Sequence, residues 1–190
     1  MAVPASVQTA HGLNYSGVKN GRTFIGTNAL LGLAVPIYSA KANALSLWNP
    51  QGNTFDLVLI AAILAHHSTT GLMGAIFYGL VQPAGATAAT GNPFATYTTT
   101  TPVNAYLGGG YASTALFSPA TNTTTANPAQ LMPLCSVLPV TSAQTIQPYQ
   151  IIDYIDGRIV LPPGSAIQIV GSTAVAIVAQ QTLVWEEVPI

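Results

Sequence analysis

A run of nine apolar residues, Leu57 to Ala65, most constrains what this chain can fold into. The turn-forming sequence NPQGN, residues 49–53, precedes the run, and His66 and His67 follow it. A membrane-spanning helix needs about 20 consecutive apolar residues, so the run is too short to cross a bilayer. With turn residues on both sides, it is typical of a strand that is buried on both faces at the centre of a sheet. A buried helix stays open as the alternative, because a short apolar run has no decisive periodicity.

Other short segments with the composition of strands recur along the chain and are separated by Gly, Pro and Asn. They read TFIGT, LSLWN, FDLVLIAAILAHH, MGAIFYGLV, RIVL, AIQIVG, AVAIVAQ and TLVWEEV. Between two of them, Pro162 and Pro163 fix their own φ angles and Gly164 can adopt the positive φ that closes a turn. Many short strands with frequent turns predict an all-β fold, a sandwich or barrel, and 190 residues predict a single domain, residues 1–190.

Two regions lack this core pattern. Residues 1–20 are interpreted as an N-terminal arm, and residues 84–130, rich in Thr, Ala, Gly and Asn, as an extended loop region. A structureless loop of that length is unusual unless it is supported, so we expect a couple of short strands in it, such as YASTALF.

Charge is scarce: only 5% of the residues are Asp, Glu, Lys or Arg, against about 25% in ordinary soluble domains. Lys19, Arg22, Lys41 and Arg158 are the only permanent cations and are scattered along the chain, which argues against nucleic acid as a partner. The first residues lack the basic start and apolar segment of a secretory signal. A surface of Thr, Ser, Asn and Gln keeps a free monomer poorly dispersed, so we expect a homo-oligomer with an uncharged interface.

Metal binding and thiol chemistry find little support. His66 and His67 are adjacent, so on a strand they point to opposite faces, and His11 is far away in sequence. The expectation is one packed and one solvated histidine, with no metal. Cys135 is the only cysteine, so no intrachain disulfide can form, and its apolar neighbours indicate a small buried hydrophobe.

The carboxylates do not form a catalytic pattern either. Adjacent Glu186 and Glu187 face opposite sides of a strand, which spoils them as an acid–base pair. Asp156 precedes Gly157, a dipeptide that predicts a hairpin turn, and Asp153 lies just before it. The glycines of YLGGGY, residues 106–111, lack the Lys of a phosphate-binding loop. The sequence therefore predicts a protein that is not an enzyme and has no cofactor site.

Two blocks together resemble a group of proteins. LSLWNPQGNTFDLVLIAAILAHHSTTGLMGAIFYGL, residues 45–80, and DGRIVLPPGSAIQIVGSTAVAIVAQQTLVWEEVPI, residues 156–190, resemble small virion structural proteins of tailed bacteriophages. The resemblance implies a jelly-roll-like β-sandwich, assembly in the host cytoplasm, a place in the virion and a homotrimer. It carries over no catalytic residue.

The resemblance and the residues together lead to two main function hypotheses, and a third, an enzyme such as a depolymerase, is the weakest because the carboxylates are so few. The first is a capsid decoration, or cement, protein that binds the major capsid protein and stabilises the head by multivalent contact. The alternative is a host-recognition or fibre module whose loop region binds cell-surface glycans. Sugars could stack on the aromatic residues of that region, which are Phe94, Tyr97, Tyr106, Tyr111 and Phe117.

The apolar end of the chain, with Trp185, Pro189 and Ile190, is expected to pack within the sandwich or between subunits.

Overall fold

The computed structural model describes residues 15–41, 43–69, 74–82, 92–119, 122–137, 150–172 and 177–190. Almost all regular structure in these ranges is β. The helices are α1 (Tyr15–Lys19) and a 3-10 turn (Tyr38–Ala40). The strands are β1 (Thr23–Thr27), β2 (Leu33–Ala34), β3 (Leu45–Trp48), β4 (Phe55–Thr69), β5 (Gly74–Gln82), β6 (Phe94–Tyr97), β7 (Val103–Asn104), β8 (Leu116–Ser118), β9 (Asn122–Thr124), β10 (Ala129–Val137), β11 (Gln150–Tyr154), β12 (Val160–Leu161), β13 (Ala166–Gly171) and β14 (Ile177–Pro189).

Two antiparallel sheets form the sandwich. The larger sheet has the order β11-β4-β14-β1-β7, with β12 added beside β4 and β2 beside β14. The smaller sheet has the order β10-β5-β13-β3-β8, and β6 and β9 form a separate ribbon. The eight main strands are, in chain order, β1, β3, β4, β5, β10, β11, β13 and β14. The first pairs with the last (β1 with β14), the second with the seventh (β3 with β13), the third with the sixth (β4 with β11) and the fourth with the fifth (β5 with β10). This is the pairing order of a jelly roll, so the predicted all-β, jelly-roll-like sandwich is confirmed.

The core lies between the sheets and is centred on a stack of aromatic rings. The Trp185 ring lies between those of Phe24 and Phe117, with centroids at 6.1 and 6.0 Å. Gly26 of β1 lets the Phe117 ring approach the backbone, because a Cβ at Gly26 would lie 2.6 Å from that ring. At the chain end, Trp185 is fully buried and packs within the sandwich, whereas Ile190 is 77% exposed in this single chain, so that for Ile190 packing between subunits stays a prediction.

The apolar run that constrains the fold is indeed strand β4. It lies between β14 and β11, one strand away from the middle of the larger sheet. The register against β14 skips Ile60, which forms a β-bulge. Leu59, Ile60, Ala61 and Ala62 are all at most 7% exposed around the bulge, whereas the outward-facing Val58 and Ile63 are half-buried. The outward-facing residues of β4 are apolar as well, which is why the apolar run is continuous in the sequence.

The hairpin predicted at Asp156-Gly157 is wrong, although the turn itself is real. Both residues have positive φ, 46° and 78°, and the Arg158 N–H donates to the Ile155 carbonyl at 3.0 Å. The strands on either side, β11 and β12, both pair with β4 and not with each other. The turn instead faces the bulge, because the Ile60 carbonyl accepts hydrogen bonds from the N–H groups of Ile155 and Asp156.

The NPQGN turn ties the two sheets together through one buried amide. Asn49, at the end of β3, donates from Nδ2 to the carbonyls of Phe55 and Leu161, both at 2.8 Å. Its Oδ1 accepts from Asn53 Nδ2 at 2.8 Å. Gly52 has a φ of 94°, which closes the turn as its glycine predicts.

Strands β10 and β11 were not predicted from the sequence. Both are edge strands, and β10 contains Pro133, which a sheet tolerates at an edge. Within the predicted loop region, the described residues contain four short strands, β6 to β9, but YASTALF forms a strand only from Leu116 onward. Of the predicted arm, residues 1–14 lie outside the described residues and 15–19 form α1.

Candidate functional site

The outward side of the larger sheet, here called the outer face, is a broad apolar surface. Residues directly opposite each other on neighbouring strands lie on the same side of a sheet, so the register defines rows across it. The central row crosses all five strands from β11 to β7. It consists of Tyr154, Ala61, Val184, Ile25 and Val103.

The rows on either side continue this surface with β-branched and hydroxyl side chains. One consists of Ile152, Ile63, Thr182 and Thr27. The other consists of Val160, Val58, Glu186 and Thr23, and it is covered at its β1 end, where Thr23 is 2% exposed. The register places both carboxylates that the described residues contribute to this face, Asp56 and Glu186, at one end.

The outer face is large enough to form a substantial part of an interface. Five strands span about 19 Å across the sheet, and β4 from Val58 to Ala65 spans about 23 Å along it. A full rectangle of these dimensions would cover about 440 Å², which is an upper bound because β7 pairs with β1 at only two positions, and each partner buries roughly 800 Å² in a standard interface. Tyr154 and Val103, at the two ends of the central row, are 64% and 58% exposed.

Glu186 and Glu187 point to opposite sides of β14, as the sequence predicted. Glu186 lies on the outer face, where burial raises its pKa and Arg22 opposes that rise. The backbone of α1 covers it, since a Cβ at Gly17 would lie 2.5 Å from the Glu186 Cδ. Glu187 is fully buried and accepts hydrogen bonds from residues 111–115. The two carboxyl groups therefore do not face a common site.

Asp153 connects the two sheets at their open edge. The Tyr78 hydroxyl, from β5 of the smaller sheet, donates to Asp153 Oδ2 at 2.9 Å. Arg158 Nη2 lies 3.3 Å from Asp153 Oδ1 and donates to the Tyr154 carbonyl at 2.7 Å. Burial, followed by the hydrogen bond to Asp153, raises the pKa of Tyr78 well above its usual value. These contacts hold the edge together and leave Asp153 engaged on both oxygens.

Beside this cluster, a groove of about 400 Å³ opens between the sheets. It is here called the edge groove, and its walls come from β5 and β10 on one side and from β12 on the other. Most of the side chains that line it are apolar, and Arg158 lies at its rim. The lining residues are Leu80, Leu131, Met132, Arg158, Ile159, Val160, Leu161, Pro162 and Ser165.

The histidines lie as the sequence predicted, one packed and one solvated. His66 is 7% exposed on the inner side of β4, and burial, then the neighbouring His67, lowers its pKa. His67 is exposed. His11 lies outside the described residues, and within the described ranges no three His, Cys, Asp or Glu residues are placed to hold a metal ion.

Cys135 lies half-buried on edge strand β10 and packs against the core. Burial raises the pKa of its thiol to about 11. A thiol with that pKa is almost entirely protonated near neutral pH, so it is a poor nucleophile.

Most aromatic residues of the loop region are packed inside the protein and are not exposed to solvent. Phe94 and Phe117 are 2% and 1% exposed, and the Tyr97 hydroxyl donates to the Leu116 carbonyl at 2.8 Å. Tyr106 and Tyr111 are about two-fifths exposed. Lys19 Nζ lies 5.2 Å from the centroid of the Tyr106 ring. Phe94 and Phe117 are therefore unable to stack against a sugar in this conformation.

At the opposite end of the larger sheet, the turn between β1 and β2 displays two leucines. Leu30 and Leu31 are 80% and 79% exposed. They adjoin a shallow depression of about 750 Å³ whose lining carries no charged side chain. It is lined by Thr27, Asn28, Ala29, Leu33, Ala34, Asn43, Thr100, Thr101 and Pro119.

Comparisons with family models, curated proteins and solved structures gave no match to this chain. Among the helices of the described residues, none has the length and apolar character that crossing a membrane requires.

Proposed function

We propose that this chain is a virion structural protein of a tailed bacteriophage, a capsid decoration subunit that stabilises the head by binding the major capsid protein. The observation that carries the proposal is the outer face, with its central row of Tyr154, Ala61, Val184, Ile25 and Val103. Contiguous apolar patches of about 300 to 600 Å² on a protein surface are often sites of protein contact. The jelly-roll order of the strands is also the fold that the sequence resemblance implies.

The chemistry of this face suits a contact that many copies repeat over a shell. Valine, isoleucine and threonine side chains cost less to desolvate than ions do, so burying the face against a partner leaves little electrostatic penalty. Each copy binds weakly or moderately, and a homotrimer multiplies the contacts that hold it on the shell. In this proposal the protein acts in the virion, without a cofactor and without a chemical step.

The test is a binding assay with purified protein and phage heads that lack it. We expect wild-type protein to saturate the heads, with an affinity that changes little between low and high salt, since few ion pairs are available. Val184→Lys places a charge in the middle of the central row and is expected to abolish binding. Leu107→Lys is the matched control, because Leu107 is 83% exposed on the loop after β7 and belongs to none of the three rows. Equal binding by both variants, or loss of wild-type binding in moderate salt, would contradict the proposal.

A further inference from the structure

The exposed leucine pair sits on a turn that is anchored to β14. Asn28 Nδ2 donates to the Ala179 carbonyl at 3.0 Å, and Asn28 Oδ1 accepts from the Gln181 N–H at 2.9 Å. Gly32 packs so closely on β14 that a Cβ there would lie 2.7 Å from the Ala179 carbonyl carbon. The turn is thus fastened to the sheet on both sides of Leu30 and Leu31, and the two side chains project from a fixed base.

The edge groove has the complementary character. Its apolar walls include Leu131 and Val160, which are 46% and 43% exposed and would be covered by an inserted side chain. A cavity of about 150 Å³ accommodates a benzene molecule. The edge groove, at about 400 Å³, therefore has room for two leucine side chains. Its one charged neighbour, Arg158, is already paired with Asp153.

Within one chain the leucine pair cannot reach the groove. The turn lies beside Ala179, which pairs with His66 near one end of β4, whereas the groove lies beside Val160, which pairs with Val58 near the other end. Eight residues of strand separate these positions, about 26 Å, and three strand spacings add about 14 Å across the sheet. The two surfaces are thus at opposite corners of the sandwich.

We infer that Leu30 and Leu31 of one copy insert into the edge groove of the next copy, so that the protein associates head to tail. This inference rests on the self-association included in the proposed function and names the surfaces that would form it. A contact between two different surfaces either closes into a ring or grows into a filament. The proposed trimer requires the ring to close at three copies. Val160 belongs both to the edge groove and to one row of the outer face, so the contact covers that margin and leaves the central row free to meet a shell.

The test uses two variants that each destroy one half of the contact. Leu30→Ser with Leu31→Ser removes the inserted pair, and Leu131→Asp places a charge in the groove. All three positions are at least 46% exposed, so the variants are expected to fold. In sedimentation velocity, wild-type protein should run as a trimer and each variant as a monomer. Leu107→Ser, at an equally exposed leucine elsewhere, should remain a trimer.

Mixing the two variants distinguishes a head-to-tail contact from a symmetric one. The double-serine variant keeps an intact groove and the Leu131→Asp variant keeps an intact leucine pair, so the mixture should form one-to-one heterodimers and nothing larger. A symmetric contact between identical surfaces would not give this pattern.

The inference is overturned if the variants stay trimeric, if their mixture stays monomeric, or if wild-type protein is a monomer. The last result, combined with binding of that monomer to heads, would leave the proposed shell contact standing and assign the leucine pair to another partner. A trimer of the expected kind that fails to bind heads would instead overturn the decoration role alone.

Discussion

The Glu187 carboxylate accepts a hydrogen bond from the Ser113 hydroxyl at 2.7 Å and so fastens the segment before β8 to the last strand of the sandwich. The same oxygen accepts from the N–H groups of Thr114 at 2.8 Å and Ala115 at 3.3 Å, and the other carboxylate oxygen from the Tyr111 hydroxyl at 3.3 Å. Glu187 is fully buried, so these donors take the place of water around the carboxylate.

Replacing Glu187 with Ala is therefore expected to lower the free energy of unfolding by about 3 kcal/mol, since buried donors lose their acceptor. Urea denaturation measures the loss. Glu186→Ala is the matched control: its half-buried carboxylate on the outer face should contribute less than about 0.5 kcal/mol. Equal losses in the two variants would show that the network around Glu187 contributes little.

The bond between Tyr78 and Asp153 predicts a loss of stability in alkali. Because folding raises the pKa of Tyr78, the protonated form is favoured in the folded state, and its contribution is complete below the unfolded pKa of 10.0. The free energy of unfolding should fall above pH 10, by at most about 1.4 kcal/mol per pH unit for this group. Tyr78→Phe should make that fall shallower while costing about 1 kcal/mol at neutral pH for the lost hydrogen bond. An unchanged slope in urea titrations at pH 9 to 11.5 would contradict this account.

Cys135 is expected to resist alkylation in the folded protein. Its pKa of about 11, against an ordinary 9.0, lowers the thiolate fraction at pH 8. A difference of two units corresponds to about 100-fold slower reaction with iodoacetamide than in the urea-unfolded chain. Mass spectrometry follows the modified fraction over time, and similar rates in the two states would refute the prediction.

Gly26→Val is expected to destabilise the protein by about 3 kcal/mol, because the new side chain would overlap the Phe117 ring. Combining it with Phe117→Leu should recover part of the loss, which a double-mutant cycle measures by thermal or urea unfolding. Additive losses would show that the close approach of glycine and ring is not the cause.

The sequence predicts the strands of the sandwich well where burial gives a recognisable pattern of apolar residues. The segments TFIGT and AIQIVG form β1 and β13 with the predicted bounds, and the run from Leu57 to Ala65 lies in β4. Edge strands β10 and β11 escaped prediction because one long side of each is unpaired, so burial constrains their residues less. The prediction of a hairpin at Asp156-Gly157 was also wrong. The turn faces the bulge at Ile60 of β4, and the residues next to the turn in the sequence give no sign of that bulge.

The candidate surfaces were harder to predict from the sequence than the fold was. Scarce charge predicted an uncharged contact, but only the register shows that Ile25, Val184 and Tyr154 share one row. The pairing of the leucine turn with the edge groove depends on which residues the jelly roll brings to its corners. Glu187 was correctly placed opposite Glu186, whereas its hydrogen bonds to residues 111–115 span more than 70 positions of sequence.

Electron cryomicroscopy of intact phage particles that carry this protein tests the central claim most directly. The decoration role predicts density for the sandwich at regular lattice positions over the head, with the row through Val184 directed toward the major capsid protein. Density confined to the tail, or copies on the head whose outer face points into solvent, would contradict it.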